Sequence, residues 1–354
     1  MSNAWRNEAI DRINADFNRS ADTHLIRVPL PKSPDIDLYL KDESIHPSGS
    51  LKHRLARSLY LYGICNGLIH QDTPIVEASS GSTAISEAYF ARMLDLPFHT
   101  VIPAKTSKEK IRKIEFLGGT CHFVDTTDIY SEAQKLAKQL GGHYMDQFTY
   151  AERATDWRGN NNIAQSLFDQ LAKERYPEPT WVVLGAGTGG TSATIGRSIR
   201  FKRLSTKLCI ADPEGSVFYD FYQSGDASLT SKASSRIEGI GRPRVEPSFI
   251  PTVVDEMIRV PDAAAMACLY VLENLLDRKC GGSTGTNLWA VFQLIARMQK
   301  ENQKGSVVSL ICDSGDRYLD TYYNPEWLKK EGLDPKLYQE KLERALQTGL
   351  FQFD

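Results

Sequence analysis

Trp181-Val182-Val183-Leu184-Gly185-Ala186-Gly187-Thr188-Gly189-Gly190-Thr191 reads as an apolar strand, a glycine turn and the opening of a helix. Four apolar residues bounded by glycine suit a strand buried on both faces. The glycines let the backbone approach an anion, and N–H groups at the helix start then hold phosphate. Thr188 and Thr191 add hydroxyl donors. The same alternation extends outward. Upstream, helices are predicted over 51–65, 83–94, 108–116 and 129–140, with strands over 74–78, 98–102 and 120–124. Downstream come a helix over 191–203 and a strand over 207–211. Strands alternating with helices over short connections make an α/β fold with mostly parallel sheets flanked by helices.

At 354 residues the chain exceeds the ~250–300 at which one core stops growing, so two domains are expected. Polar residues 144–162 read as an irregular passage between them. Trp5, Ala9, Ile10, Ile13 and Phe17 mark one face of an N-terminal helix, and 38–40 a short strand. Residues 215–251 form a long loop rich in Ser, Gly and Arg, of the kind that is usually functional. Helices near 262–278 and 288–301, a strand at 307–311 and a surface-helical tail from Asn324 complete the pattern.

A net charge of −2 and 24% charged residues exclude the basic excess that a nucleic acid or an anionic membrane surface would demand. No apolar run approaches the ~20 residues of a membrane span, and the N-terminus lacks a signal-like apolar core. The six cysteines include no C-x-x-C pair and are expected reduced, in the cytoplasm. The seven histidines form no zinc-type pair, so no metal is expected.

The glycine turn has two readings. Gly185, Gly187 and Gly190 satisfy G-x-G-x-x-G, and Asp212 ends the next strand about 20 residues on, as in dinucleotide-binding oxidoreductases. The small, hydroxyl-rich Gly189-Gly190-Thr191 favours a single phosphate instead, as does the α/β unit that precedes it. Lys52 lies in Pro47-Ser48-Gly49-Ser50-Leu51-Lys52-His53-Arg54, at the first turn of a predicted helix. The helix dipole disfavours an ammonium there, and a neutral lysine can attack a carbonyl. Ser79-Ser80-Gly81-Ser82-Thr83 also follows a strand and opens a helix, so its N–H groups and hydroxyls form a second anion site. An ordinary Ser/Thr helix cap is the plainer reading.

Taken in order, Lys52 in Ser-Leu-Lys, Ser79–Thr83, Gly187–Thr191, Glu238-Gly239-Ile240-Gly241 and Ser314-Gly315-Asp316-Arg317-Tyr318 resemble the cysteine synthase / cystathionine β-synthase family, pyridoxal-phosphate enzymes of fold-type II. The resemblance covers roughly residues 22–320. His46–Arg54, Glu77–Thr83 and Tyr144–Arg153 look most like the L-cysteine desulfhydrase subgroup. The resemblance implies pyridoxal 5'-phosphate as cofactor, with Lys52 carrying its Schiff base and acting as the Cα base. Gly187, Thr188, Gly189, Gly190 and Thr191 would hold its phosphate, and Ser314 would face its pyridine nitrogen. Ser79, Ser80, Gly81, Ser82 and Thr83, with Gln147, would hold the substrate carboxylate, and Gly239 would line the cleft between the domains. Residues 1–45 and 150–354 would form the larger, cofactor-binding domain, and 46–149 the smaller one with the carboxylate loop. The implied substrate is L-cysteine and the implied assembly a homodimer. A cysteine synthase is the alternative, a nicotinamide oxidoreductase a more distant one. A chain ending about 40 residues past Ser314 leaves a regulatory domain of the cystathionine-forming kind unexpected. The sequence departs from the family at Ser82, where asparagine is usual and contacts the cofactor's ring oxygen, and at the added Arg242–Pro247 stretch.

Overall fold

The computed structural model describes residues 3–19, 22–125, 128–159, 162–233 and 235–353. The strands among them are β1 (Leu25–Val28), β2 (Ile36–Asp42), β3 (Ile75–Glu77), β4 (Phe98–Pro103), β5 (Thr120–Val124), β6 (His143–Tyr144), β7 (Trp181–Leu184), β8 (Lys207–Pro213), β9 (Glu256–Val260) and β10 (Gly305–Ile311). The α-helices are α1 (Asn3–Arg19), α2 (Lys52–Cys65), α3 (Ser82–Met93), α4 (Lys108–Phe116), α5 (Ile129–Leu140), α6 (Gln147–Ala154), α7 (Ile163–Leu171), α8 (Gly190–Lys202), α9 (Phe218–Ser224), α10 (Asp262–Leu276), α11 (Gly282–Lys300), α12 (Pro325–Lys330) and α13 (Lys336–Thr348). None is long and apolar enough to cross a membrane. The chain divides into two compact units: Met1–Asp22 with His46–Asp156, and Thr23–Ile45 with Trp157–Asp354.

The first unit holds a wholly parallel sheet in the order β5-β4-β3-β6. Val76 of β3 lies between His99 of β4 and Tyr144 of β6. Central strands covered on both faces need apolar residues throughout, and Ile75 and Val76 are fully buried. Val76 packs on Val101, Ala133 and Ala137 in one cluster, and Leu59, Tyr60, Ile64, Phe90 and Phe98 form a core with Ile75. Helix α1 joins this core through Ala9 and Ile13, so residues 1–22 belong with the smaller unit and not with the larger, as the sequence reading expected. An amphipathic helix settles where its apolar stripe finds a partner, and full burial of Ile13 alone contributes about 2 kcal/mol. The expected irregular passage after Tyr144 contains α6, whose Ala151 is buried in the same core.

In the second unit the sheet order is β1-β2-β10-β7-β8-β9, antiparallel only between β1 and β2. Strands β1 and β9 lie outside the expected pattern because Leu25-Ile26-Arg27-Val28 and Glu256-Met257-Ile258-Arg259-Val260 are short, charge-interrupted edge strands. Helix α11 begins at Gly282, a turn and more before the expected Leu288. Its polar start is nonetheless buried: Thr286 donates to the Gly282 carbonyl at 3.1 Å and Thr284 accepts the Cys312 N–H at 3.3 Å. The tail lies on the surface, as expected, but buries one apolar stripe. Leu342 and Ala345 of α13 are buried, and Phe351 stacks on Phe292 at 5.4 Å. Within the long loop α9 forms because Phe218 stacks on Phe249 at 4.2 Å. The extra arginines are tied down too: Arg242 and Arg244 reach the buried Glu246 at 2.8 and 3.2 Å.

Candidate active site

In the first unit, Gly49 takes φ +77, a left-handed turn that glycine adopts without a Cβ penalty. Ser50 Oγ then accepts the Lys52 N–H at 3.3 Å and the helix begins. Lys52 is the first residue of α2, in the first turn as its sequence context implied, and is half-buried. The turn before it is pinned to the neighbouring helix. Ser48 Oγ lies 2.8 Å from Ser86 Oγ of α3 and 3.1 Å from His53 Nδ1.

Ser79–Thr83 follows β3 and leads into α3. The residue at the helix cap is Gly81, and no side chain caps the helix there, so the ordinary Ser/Thr cap is not what this loop builds. Its hydroxyls serve the loop instead. Ser79 Oγ accepts the Gly81 N–H at 3.3 Å, and the Ser79 carbonyl accepts Thr100 Oγ1 at 2.5 Å. Ser79, Ser80 and Ser82 remain half-exposed, whereas Thr83 is buried and donates to Gln147 Oε1 at 2.8 Å. Gln147 is 3% exposed and so is not a surface amide. Parallel pairing of β3 and β6 puts the loop and Gln147 at the same sheet edge, after the carboxyl ends of adjacent strands.

In the second unit, Gly185–Thr191 follows β7 and Ser314 follows β10, its parallel neighbour. The glycines are required by close approach. A Cβ on Gly187 would sit 2.1 Å from the Gly239 carbonyl oxygen. Gly189 has φ +86, and its Cβ would meet the Ser248 carbonyl at 2.5 Å. Gly189 caps α8 without a side chain, and Thr188 Oγ1 accepts the Gly190 N–H at 3.4 Å. Thr188 and Gly190 are buried, while Gly187 and Thr191 keep partial exposure. The Gly239 segment lies against this turn, with Gly241 N–H donating to the Ala186 carbonyl at 2.8 Å. Ser314 Oγ donates to Asp316 Oδ2 at 2.8 Å and accepts the Asp316 N–H at 3.3 Å. Asp313 is engaged separately by Tyr318 Oη at 2.7 Å.

The ribose-acid reading of Asp212 fails. Asp212 is 1% exposed, Oδ2 accepts the Tyr219 N–H at 2.9 Å at the start of α9, and burial raises its pKa to about 6. Closed off from solvent, this carboxylate is not placed to take a ribose hydroxyl.

Sequence reasoning missed some supporting residues. Tyr322 Oη accepts the Glu238 N–H at 2.8 Å and donates to the Arg236 carbonyl at 2.9 Å, holding the Gly239 segment in place. Glu77 Oε1 accepts the Ala78 N–H at 2.7 Å and Oε2 the Gln147 N–H at 3.2 Å. A lone acid closing the apolar strand Ile75-Val76-Glu77 is the signal that could have found it.

A glycine cradle whose positions admit no Cβ, open at a helix start, suits a phosphate. A half-buried lysine amine suits an aldehyde. The donor set therefore fits pyridoxal phosphate. Comparison with known proteins agrees. A family model described as pyridoxal-phosphate dependent enzyme matches residues 19–313. L-cysteine desulfhydrase Cds1 of Mycobacterium tuberculosis (strain ATCC 25177 / H37Ra) is 59% identical over 95% of this chain and 92% of its own length. Cysteine synthase of Aquifex aeolicus (strain VF5) is 28% identical over 84% of this chain and 88% of its own. In fold, the crystal structure of O-ureido-L-serine synthase superposes with a TM-score of 0.71 at 23% identity, over 84% of this chain and 91% of that one. The chain belongs to the pyridoxal-phosphate dependent enzyme family.

Proposed function

We propose that the protein is an L-cysteine desulfhydrase, converting L-cysteine to pyruvate, sulfide and ammonia. The observation that carries the reading is 59% identity, across 95% of the chain, to an enzyme of that name. When bound, pyridoxal phosphate supplies an electrophilic aldehyde and a ring that draws electron density from the substrate Cα. Lys52 Nζ would hold that aldehyde, and Gly187, Thr188, Gly189, Gly190 and Thr191 would hold the phosphate. Ser314, oriented by Asp316, is assigned to the ring nitrogen. Ser79, Ser80, Gly81, Ser82, Thr83 and Gln147 orient the substrate carboxylate, and Gly239 borders the substrate. With its amine free, Lys52 Nζ would be the base that takes the substrate Cα proton. The Cα–H electron pair forms the Cα=Cβ bond while hydrosulfide departs from Cβ with the C–S pair. Proton and hydrosulfide together amount to hydrogen sulfide. The 2-aminoacrylate left behind hydrolyses to pyruvate and ammonia.

Purified protein given L-cysteine is expected to yield equimolar sulfide and pyruvate. Absence of pyruvate, with cysteine formed from O-acetylserine and sulfide, would move the protein to the synthase reading. A reducing cytoplasm is proposed with it, supported by six cysteines that are all free thiols, and a homodimer is proposed as the assembly. Sedimentation at a monomer mass would remove the dimer.

A further inference from the structure

Beneath the Ser79–Thr83 loop the first unit buries two acids, Glu77 and Glu87, both 0% exposed. Their environments differ. Glu77 spends each oxygen on a backbone N–H, that of Ala78 just ahead of the loop and that of Gln147 at the start of α6. Neither Glu87 oxygen has a hydrogen-bond donor. A carboxylate without donors, out of water and beside a second carboxylate, keeps its proton, because two like charges cannot share such a site. The charge goes to the partner that two N–H groups stabilise. We propose that Glu87 is a buried acid, neutral at neutral pH, whose proton lets Glu77, as a carboxylate, hold the loop and Gln147 in register for the substrate carboxylate. The inference rests on the substrate role given to that loop above and makes Glu77 and Glu87 positioning residues.

Burial and the charge of Glu77 both push the Glu87 pKa well above the ordinary range. Glu77 is raised chiefly by burial and lowered by its two N–H donors. The titratable groups facing the pair are Asp146 before α6, Tyr144 of β6 and Tyr60 of α2, and Tyr130 of α5 faces Tyr144. Tyr60 donates to the Glu87 carbonyl at 2.9 Å, and burial keeps the Tyr60 and Tyr144 phenols neutral. Loss of the Glu87 proton at alkaline pH sets two charges against each other and pushes Glu77 off Ala78 and Gln147.

Infrared spectra and titration with L-alanine, followed by the cofactor's absorbance, test this on the holoenzyme. Wild type is expected to show a protonated buried carboxyl band at about pH 7 that Glu87→Gln removes. L-Alanine affinity should weaken about fivefold more between roughly pH 7 and pH 9 in wild type than in Glu87→Gln. In turnover the same difference should fall on KM and leave kcat little changed. A wild-type spectrum without the band overturns the proposal even if the variant does not fold. Equal pH slopes in wild type and variant overturn it as well. If no amino acid perturbs the wild-type spectrum while the band is present, the loop's substrate role is what fails, not the neutral acid.

Discussion

Two loops of this protein follow one local recipe and are built differently. Ser79–Thr83 and Gly187–Thr191 each leave a parallel strand, cap a helix with glycine and lack a side-chain cap. In the second, neighbouring backbone fixes the turn: Cβ atoms at Gly187 and Gly189 would lie 2.1 and 2.5 Å from carbonyl oxygens. In the first, a Cβ at Gly81 meets nothing within 4 Å, and side chains of Thr100, Gln147 and Glu77 do the holding. A cradle closed by backbone suits a guest that stays. A loop braced by hydrogen bonds suits one that enters and leaves every cycle.

The largest effect separates both loops from the chemistry. Lys52→Ala should lower pyruvate formation by about two to four orders of magnitude, since on the proposed roles it would remove the general base along with the anchor. Amino-acid binding at the Ser79–Thr83 loop should persist, checked by calorimetry on the reconstituted variant. Next, Gly189→Ala should cost about 2 kcal/mol or more, from left-handed strain plus backbone overlap, and should release pyridoxal phosphate on gel filtration. Retained cofactor and unchanged stability would break the contrast between the loops.

A third outcome concerns the brace under the first loop. Glu87 has a folded-state pKa raised above its unfolded value of about 4.3, so the folded protein binds more protons than the unfolded chain above that pH. Stability therefore falls as pH rises from there toward the raised value. Glu87→Leu should flatten that slope by about 1 kcal/mol or more between roughly pH 5 and pH 8, measured by urea unfolding. The smallest effect is expected at Gly81→Ala, within about 0.5 kcal/mol of wild type, because the added methyl meets no neighbour. A large loss there would show the first loop to be as closed as the second.

Much of the fold was legible because burial on both faces and one-sided burial leave periodic patterns in sequence. β5, α4 and α5 run between the residues the pattern predicts. Edge strands β1 and β9 were not legible, since four or five residues interrupted by arginine carry no clear alternation. Nor was the polar start of α11, where Thr284 and Thr286 are buried by bonding to backbone. The candidate site divides the same way. Lys52, the hydroxyl loop and the glycine turn stand out because their chemistry depends on local order: residue type, a turn and a helix start. Asp212 matched a motif by spacing alone, and its partner, the Tyr219 N–H, is set by the path of the loop.

What the sequence by itself determined is the set of reactive groups and the parallel α/β frame, both properties of neighbours along the chain. Only the tertiary structure decided that α1 joins the smaller unit, that Gly239 closes on Gly187, and that Glu77 and Glu87 are buried near one another. Those facts depend on which distant segments exclude water together, and no local pattern of residues encodes that.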